Sequence, residues 1–133
     1  MLIRQHRMMA DLRLINCYNT TNMSKSQREK SILESAKTNL ERLAFFGLTS
    51  EQAKSQYLFE DTFNLKFKVA FEAQNQHSKS DISDLDEETL NKIRDLNSLD
   101  VELFNYAKNL MQTRFDEVKS DDVNFESNFH SFS

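Results

Sequence analysis

A single glycine, Gly47, is the feature that most restricts what this chain can fold into. It lies in the stretch Leu43–Phe63, between the short apolar run "AFFGL" and a segment with helical periodicity. A strand, a turn and a helix in this order often form a phosphate-binding loop, but such loops need several glycines so that backbone N–H groups can approach the phosphate. The sequence therefore contains no Walker-type or dinucleotide-type loop.

The spacing of apolar residues predicts helices separated by two short extended segments. Helices are predicted over 2–15, 27–42, 50–62 and 99–115, with another after Ser83 or Asp84 that carries Leu90, Ile93 and Leu96. Ser24 with Gln27, and Thr49 with Gln52, have the spacing of capping boxes. Strands are predicted at 44–48 and at 65–71, where Leu65, Phe67, Val69 and Phe71 alternate with other residues.

These elements predict the α/β class, in a mostly helical form. One or two strands cannot make a sheet, so the neighbouring strands are expected in chain upstream of residue 1. Hydrophobic residues make up 38% of the chain, a low fraction that predicts a thin core. Residues 1–115 are predicted to be the ordered part, and residues 116–133, which are polar and aperiodic, a disordered tail.

Composition also excludes several classes of function. The net charge of −4 argues against a nucleic-acid partner, which normally meets a basic face. No run of about 20 apolar residues is present, so no membrane span is predicted. The N-terminus lacks the apolar core of a signal peptide.

The titratable residues give no metal or catalytic pattern. His6, His77 and His130 lack metal-ligand spacing to one another or to the single cysteine, and each is most simply a solvated side chain. Arg4, His6, Arg7 and Arg13 form a basic N-terminal segment that is either a solvated face or a contact for an anionic ligand. Thr49 is either an ordinary helix cap or an anion contact. The polar segment 72–84 follows an extended segment, a position where ligands often bind.

A polar loop near the N-terminus contains two glycosylation sequons. Asn19 and Asn22 each begin an Asn-x-Ser/Thr triplet, which favours passage through the secretory pathway. Cys17, beside them, is either a buried small hydrophobic residue or half of a disulfide whose partner lies outside this chain.

Three sequence blocks resemble heparan-sulfate 6-O-sulfotransferases. They are "RQHRMMADLRLINCYN", "AFFGLTSEQAKSQYLFEDTFNLKF" and "LNSLDVELFNYAK", which stand in the family's order and spacing. The resemblance runs from about Arg4 to Phe115 and implies the C-terminal portion of a P-loop-like sulfotransferase fold. It also implies a type II membrane protein of the Golgi lumen that transfers a sulfuryl group from 3′-phosphoadenylyl sulfate (PAPS), without a metal, to the 6-hydroxyl of glucosamine in heparan sulfate.

The resemblance places the main catalytic parts outside this sequence. The membrane anchor, the phosphosulfate loop, the catalytic base and the Arg and Ser that hold the 3′-phosphate are expected upstream of residue 1. No catalytic residue is therefore assigned here, and the isolated chain is expected to be inactive.

One cofactor-contacting segment of the family is expected within this chain. The family pattern F-x-Q-Y-N-S/T-T-R-A corresponds to 71–80, with one extra residue, and implies PAPS contacts from Ala73, Gln74, Asn75, Lys79 and Ser80. Asn75 replaces the family's Tyr and Lys79 its Arg, which keeps the charge but loses the planar fork of donors. These departures leave an alternative open, a non-enzymatic lumenal helical module that binds a glycan or a partner protein.

Overall fold

The structure is a computed structural model that describes residues 5–17, 19, 22–71 and 86–130, with the side chain of His130 excepted. Six α-helices are described: α1 Gln5–Met9, α2 Lys25–Arg42, α3 Gln52–Phe63, α4 Glu87–Leu96, α5 Ser98–Asp121 and α6 Phe125–His130. The chain divides into two compact units. One consists of residues 1–42 and 77–107, and the other of residues 43–76 and 108–133.

In the first unit, α1 and a short 3-10 helix, Leu12–Ile15, pack against α2. The single helix predicted over 2–15 is thus wrong, because the chain breaks at Asp11. The Asp11 carboxylate accepts the Arg13 N–H at 3.0 Å and so caps the second helical piece. The Asp11 N–H donates to the Ser35 hydroxyl on α2 at 2.8 Å, which fixes the break against α2.

Helix α2 begins at the predicted capping box. The Ser24 N–H donates to Gln27 Oε1 at 3.1 Å, and the Gln27 N–H donates to Ser24 Oγ at 3.3 Å, which confirms the prediction. The apolar residues that recur at helical spacing along α2 are buried, at Ile32, Leu33, Ala36 and Leu40. Leu43, which continues this spacing, follows the end of the helix and is exposed.

The second unit has an aromatic core. Tyr57 and Leu58 of α3 pack with Met111 and Phe115 of α5, and Phe125 and Phe129 of α6 cover them. The Tyr57 hydroxyl donates to Asp122 Oδ2 at 2.6 Å. Burial, with a smaller contribution from this bond, raises the pKa of Tyr57 above its ordinary value.

Helical structure extends into the segment predicted as a disordered tail. Helix α5 continues to Asp121, and α6 contributes Phe125 and Phe129 to the aromatic core. The prediction of disorder is therefore wrong for these residues. The segment is mostly polar, but Phe125 and Phe129 are four residues apart and so share the face of α6 that packs on the aromatic core.

Neither predicted strand is present in the part of the chain that the structure describes. Residues 44–48 and 65–71 are irregular, because no described segment supplies the partner that a strand needs for its backbone hydrogen bonds. The second capping box is also wrong. Glu51 precedes α3 without a side-chain cap, and Thr49 is exposed in the preceding turn. The helical majority is confirmed, whereas the P-loop-like sheet stays a prediction.

Candidate functional site

The candidate site lies where residues 65–71, here called the arm, lead into the segment expected to contact the cofactor. The expected contacts themselves, Ala73, Gln74, Asn75, Lys79 and Ser80, lie outside the described residues, as does His77. Phe71 is the last described residue before them. The described part of the site is therefore the support of that segment.

Gln56 of α3 holds the end of the arm. Its side chain is 1% exposed, and its Oε1 accepts the Phe71 N–H at 2.6 Å. Its Nε2 donates to the Val69 carbonyl at 3.3 Å and to Glu60 Oε1 at 3.2 Å. One amide group thus satisfies a donor and an acceptor of the arm, as a partner strand would.

Glu60, one turn further along α3, holds the middle of the arm. Its Oε1 accepts the Phe67 N–H at 2.9 Å, and its Oε2 lies 3.3 Å from Lys66 Nζ. Burial favours the neutral acid, but the hydrogen bonds from Phe67, Gln56 and Lys66 outweigh it and hold the pKa of Glu60 below its ordinary value. Glu60 therefore stays ionised and a strong acceptor at neutral pH.

The spacing of these residues explains the arrangement. Gln56 and Glu60 are four residues apart and share one face of α3. The backbone groups they hold belong to Phe67, Val69 and Phe71, which recur every second residue and so face one side of an extended segment. The arm does not bury one apolar face, since Leu65, Phe67, Val69 and Phe71 are all exposed. Side chains of α3 take the place of the predicted sheet partner.

A groove of about 760 Å³ opens beside the end of the arm. It is lined by apolar side chains, including Phe45, Leu48, Val69 and Phe71, and by Gln52 and Ser55 of α3. Gln52 Oε1 is buried and accepts no hydrogen bond from the described residues. The described lining is thus mainly apolar and contains no cationic side chain.

The other predicted sites have simpler surroundings. Asn19 and Asn22 are exposed, as glycosylation would require. Cys17 is exposed, so the interpretation as a buried hydrophobic residue is wrong. His6 is buried rather than solvated, which is a second correction. Within the described residues, no group of His, Cys, Asp and Glu could hold a metal ion.

None of the described helices combines the length and apolar character needed to cross a membrane.

Gln56 and Glu60 were missed by the sequence analysis. Their signal is present in "SQYLFE", where both polar residues fall on the same helical face as buried neighbours. Because buried polar side chains are nearly always hydrogen-bonded, such a pair predicts partners for both side chains nearby.

Comparison with known proteins places the chain in a family. Residues 2–107 match the sulfotransferase family. The chain is 48% identical over 116 residues to heparan-sulfate 6-O-sulfotransferase 2 of Gallus gallus, covering 87% of this chain and 28% of that protein. It is 49% identical over 116 residues to heparan-sulfate 6-O-sulfotransferase 3 of Homo sapiens, covering 87% of this chain and 24% of that protein. It is also 51% identical over 112 residues to heparan-sulfate 6-O-sulfotransferase 2 of Danio rerio, covering 84% of this chain and 24% of that protein.

The chain thus spans about a quarter of the length of these curated relatives. The family match covers most of the chain and includes α3, the arm and the segment expected to contact the cofactor. The chain belongs to the sulfotransferase family.

Proposed function

We propose that this chain forms part of a heparan-sulfate 6-O-sulfotransferase, which transfers a sulfuryl group from PAPS to the 6-hydroxyl of glucosamine in heparan sulfate. The observation that carries the proposal is the 48–51% identity to the named relatives over 84–87% of the chain. By the same relation we propose the Golgi lumen as its location and Asn19 and Asn22 as glycosylated residues.

In this reaction the S–O bond to the nucleotide phosphate breaks and a bond forms to the sugar oxygen. A general base takes the hydroxyl proton. We assign the base to none of these 133 residues, and the single glycine provides no phosphosulfate loop. The isolated chain is accordingly expected to transfer no sulfate.

The proposed contribution of this chain is to present a cofactor-binding segment. Gln56 and Glu60 hold the arm at Phe67, Val69 and Phe71. The segment beyond it would then bring Gln74, Lys79 and Ser80 to the nucleotide, with Ala73 and Asn75 beside them. Lys79 would supply a positive charge for a phosphate group as a point contact rather than a bidentate fork.

A chimera tests the proposal. Residues 2–107 of this chain would replace the matching segment of the Gallus gallus enzyme, and sulfate transfer from labelled PAPS to heparan sulfate would be measured with disaccharide analysis of the product. We expect sulfate at the 6-position. The variant Lys79→Ala should raise KM for PAPS about tenfold while kcat changes little, because its contact is made in the bound state.

A folded chimera that binds PAPS but transfers no sulfate would contradict the proposal. It would instead favour the non-enzymatic module. Lys92→Ala is the matched control, since Lys92 is an exposed lysine of α4 paired with Glu88, and it should leave KM unchanged.

A further inference from the structure

The first unit contains a cavity of about 430 Å³, here called the His6 cavity. Its lining includes His6, Arg7, Lys25, Arg28, Ser98 and Leu99. None of these residues takes part in the support of the arm. The cavity therefore presents chemistry that the proposed sulfuryl transfer leaves unused.

His6 is a buried histidine with one nitrogen free. The residue is 6% exposed, and both its backbone N–H and its Nδ1 contact Asp100 Oδ1, at 2.9 and 2.6 Å. Because a carboxylate oxygen only accepts, Nδ1 carries the proton of that bond. Nε2 has no hydrogen-bond partner among the described residues, and the ring lines the cavity.

Arg28 brings a buried positive charge to the same cavity. The residue is 7% exposed, and its guanidinium donates to three backbone carbonyls, those of Ile15, Cys17 and Asn19. No described carboxylate forms an ion pair with it. A buried charge without a counter-charge is costly, and an anion in the cavity would supply one.

The start of α5 adds donors to this site. Ser98 and Leu99 are the first two residues of this 24-residue helix, and both line the cavity. The first N–H groups of an α-helix have no partner within the helix, and they carry the positive end of its dipole.

We propose that the His6 cavity binds a sulfate-class oxyanion, either the free ion or a sulfate ester on a sugar. His6 Nε2 and the N–H groups of Ser98 and Leu99 donate to the oxyanion, and the charges of Arg28, Arg7 and Lys25 attract it. Two carboxylates also line the cavity, those of Glu29 and Asp95. Lys25 partly neutralises Glu29, with Nζ and Oε1 3.7 Å apart.

His6 Nε2 donates to an anion only in the imidazolium form, since Nδ1 holds the proton of the neutral ring. The charged and titratable groups that face His6 or line its cavity come from four helices: Arg7 of α1, Lys25, Arg28 and Glu29 of α2, Asp95 of α4 and Asp100 of α5.

The test is an NMR titration of the full 133-residue chain with sodium sulfate, at constant ionic strength maintained with chloride. We expect saturable shifts of the Ser98 and Leu99 amide signals and of the His6 ring signals. Glucosamine-6-sulfate and glucosamine form two further arms. Shifts with the sulfated sugar and none with glucosamine support a sugar-borne sulfate, whereas shifts with sodium sulfate alone support the free ion.

Three variants separate binding from folding. His6→Asn keeps a donor near the position of Nδ1 for Asp100 but removes Nε2, so the melting temperature should hold while affinity for sulfate falls about tenfold. Lys25→Ala should weaken binding about twofold. Lys92→Ala, which removes another exposed lysine from a similar i,i+4 pair outside the cavity, should have no effect.

Absence of saturable shifts at Ser98 and Leu99 would overturn the proposal. Equal affinity for sulfate in His6→Asn and in the unchanged chain would overturn it as well. None of these results depends on sulfate transfer, so the outcome is independent of the chimera experiment.

Discussion

In both units helix side chains hold the backbone of another segment, but the first unit does so mainly with hydrogen-bond donors and the second mainly with acceptors. In each, one or two long polar side chains of a helix hydrogen-bond to backbone groups of another segment. Arg28 of α2 only donates, and it holds the backbone carbonyls of Ile15, Cys17 and Asn19. Gln56 and Glu60 of α3 mainly accept, and they hold the N–H groups of the arm.

The difference lies in how the charge is balanced. Glu60 has a counter-charge in the arm itself, since its Oε2 lies 3.3 Å from Lys66 Nζ. Among the described residues, Arg28 has only neutral carbonyls as partners, and its positive charge has no counter-charge there.

Replacing Arg28 should have the largest effect on stability. Arg28→Met removes three hydrogen bonds and leaves three carbonyls without their donor, which should lower the free energy of unfolding by about 3 kcal/mol. Urea denaturation followed by circular dichroism measures this. Arg94→Met, at an exposed arginine of α4, should change it by less than about 0.5 kcal/mol. Equal losses of stability in the two variants would show that the hydrogen bonds of Arg28 do not stabilise the first unit.

Replacing Gln56 should have the next largest effect. Gln56→Met keeps the length of the side chain but leaves the Phe71 N–H and the Val69 carbonyl without partners, at a cost of about 2 kcal/mol. Hydrogen exchange at the Phe71 amide should become faster. The control is Gln112→Met, since Gln112 is exposed on α5 and should leave Phe71 protected. Unchanged exchange in Gln56→Met would show that the arm is held by other contacts.

The capping box of α2 tests a local contribution. Ser24→Ala removes the oxygen that accepts the Gln27 N–H and should destabilise the first unit by about 1 kcal/mol. Ser26→Ala, a change from serine to alanine within α2 rather than at its cap, should have a smaller effect. Both changes can be compared by urea denaturation, and equal losses would argue against the cap.

The pH dependence of the arm should follow Glu60. Its folded-state pKa lies below the ordinary value of 4.5, so its stabilising contribution is present above about pH 4.5 and is lost as the pH falls through the folded pKa. Stability measured between pH 6 and pH 3 should therefore decline less in Glu60→Gln. A decline of equal size in both proteins would assign the acid sensitivity to other carboxylates.

The long helices could be predicted from sequence because their signals are local. In α2 the capping box marks the start of the helix, and the apolar spacing marks its buried face, at Ile32, Leu33, Ala36 and Leu40. The arm could not be assigned correctly, since the alternation of Phe67, Val69 and Phe71 indicates an extended segment but not its partner. That partner is a pair of side chains on α3, which only the tertiary structure reveals.

The candidate site was predictable only in part. The resemblance led to Gln74 and Lys79, which remain predictions because they lie outside the described residues. Gln56 and the free oxygen of Gln52 depend on burial, which periodicity does not report for isolated polar residues. The buried state of His6 was missed for the same reason.

The proposed role of the arm is to present a cofactor-binding segment to PAPS. An NMR titration of the 133-residue chain with adenosine 3′,5′-bisphosphate, the nucleotide product of sulfate transfer, tests this role. We expect weak binding that shifts the amide signals of Gln74 and Lys79, and a loss of these shifts in Gln56→Met. Binding that leaves the signals of residues 72–80 unchanged, or shifts that persist in Gln56→Met, would contradict the proposed role of the arm.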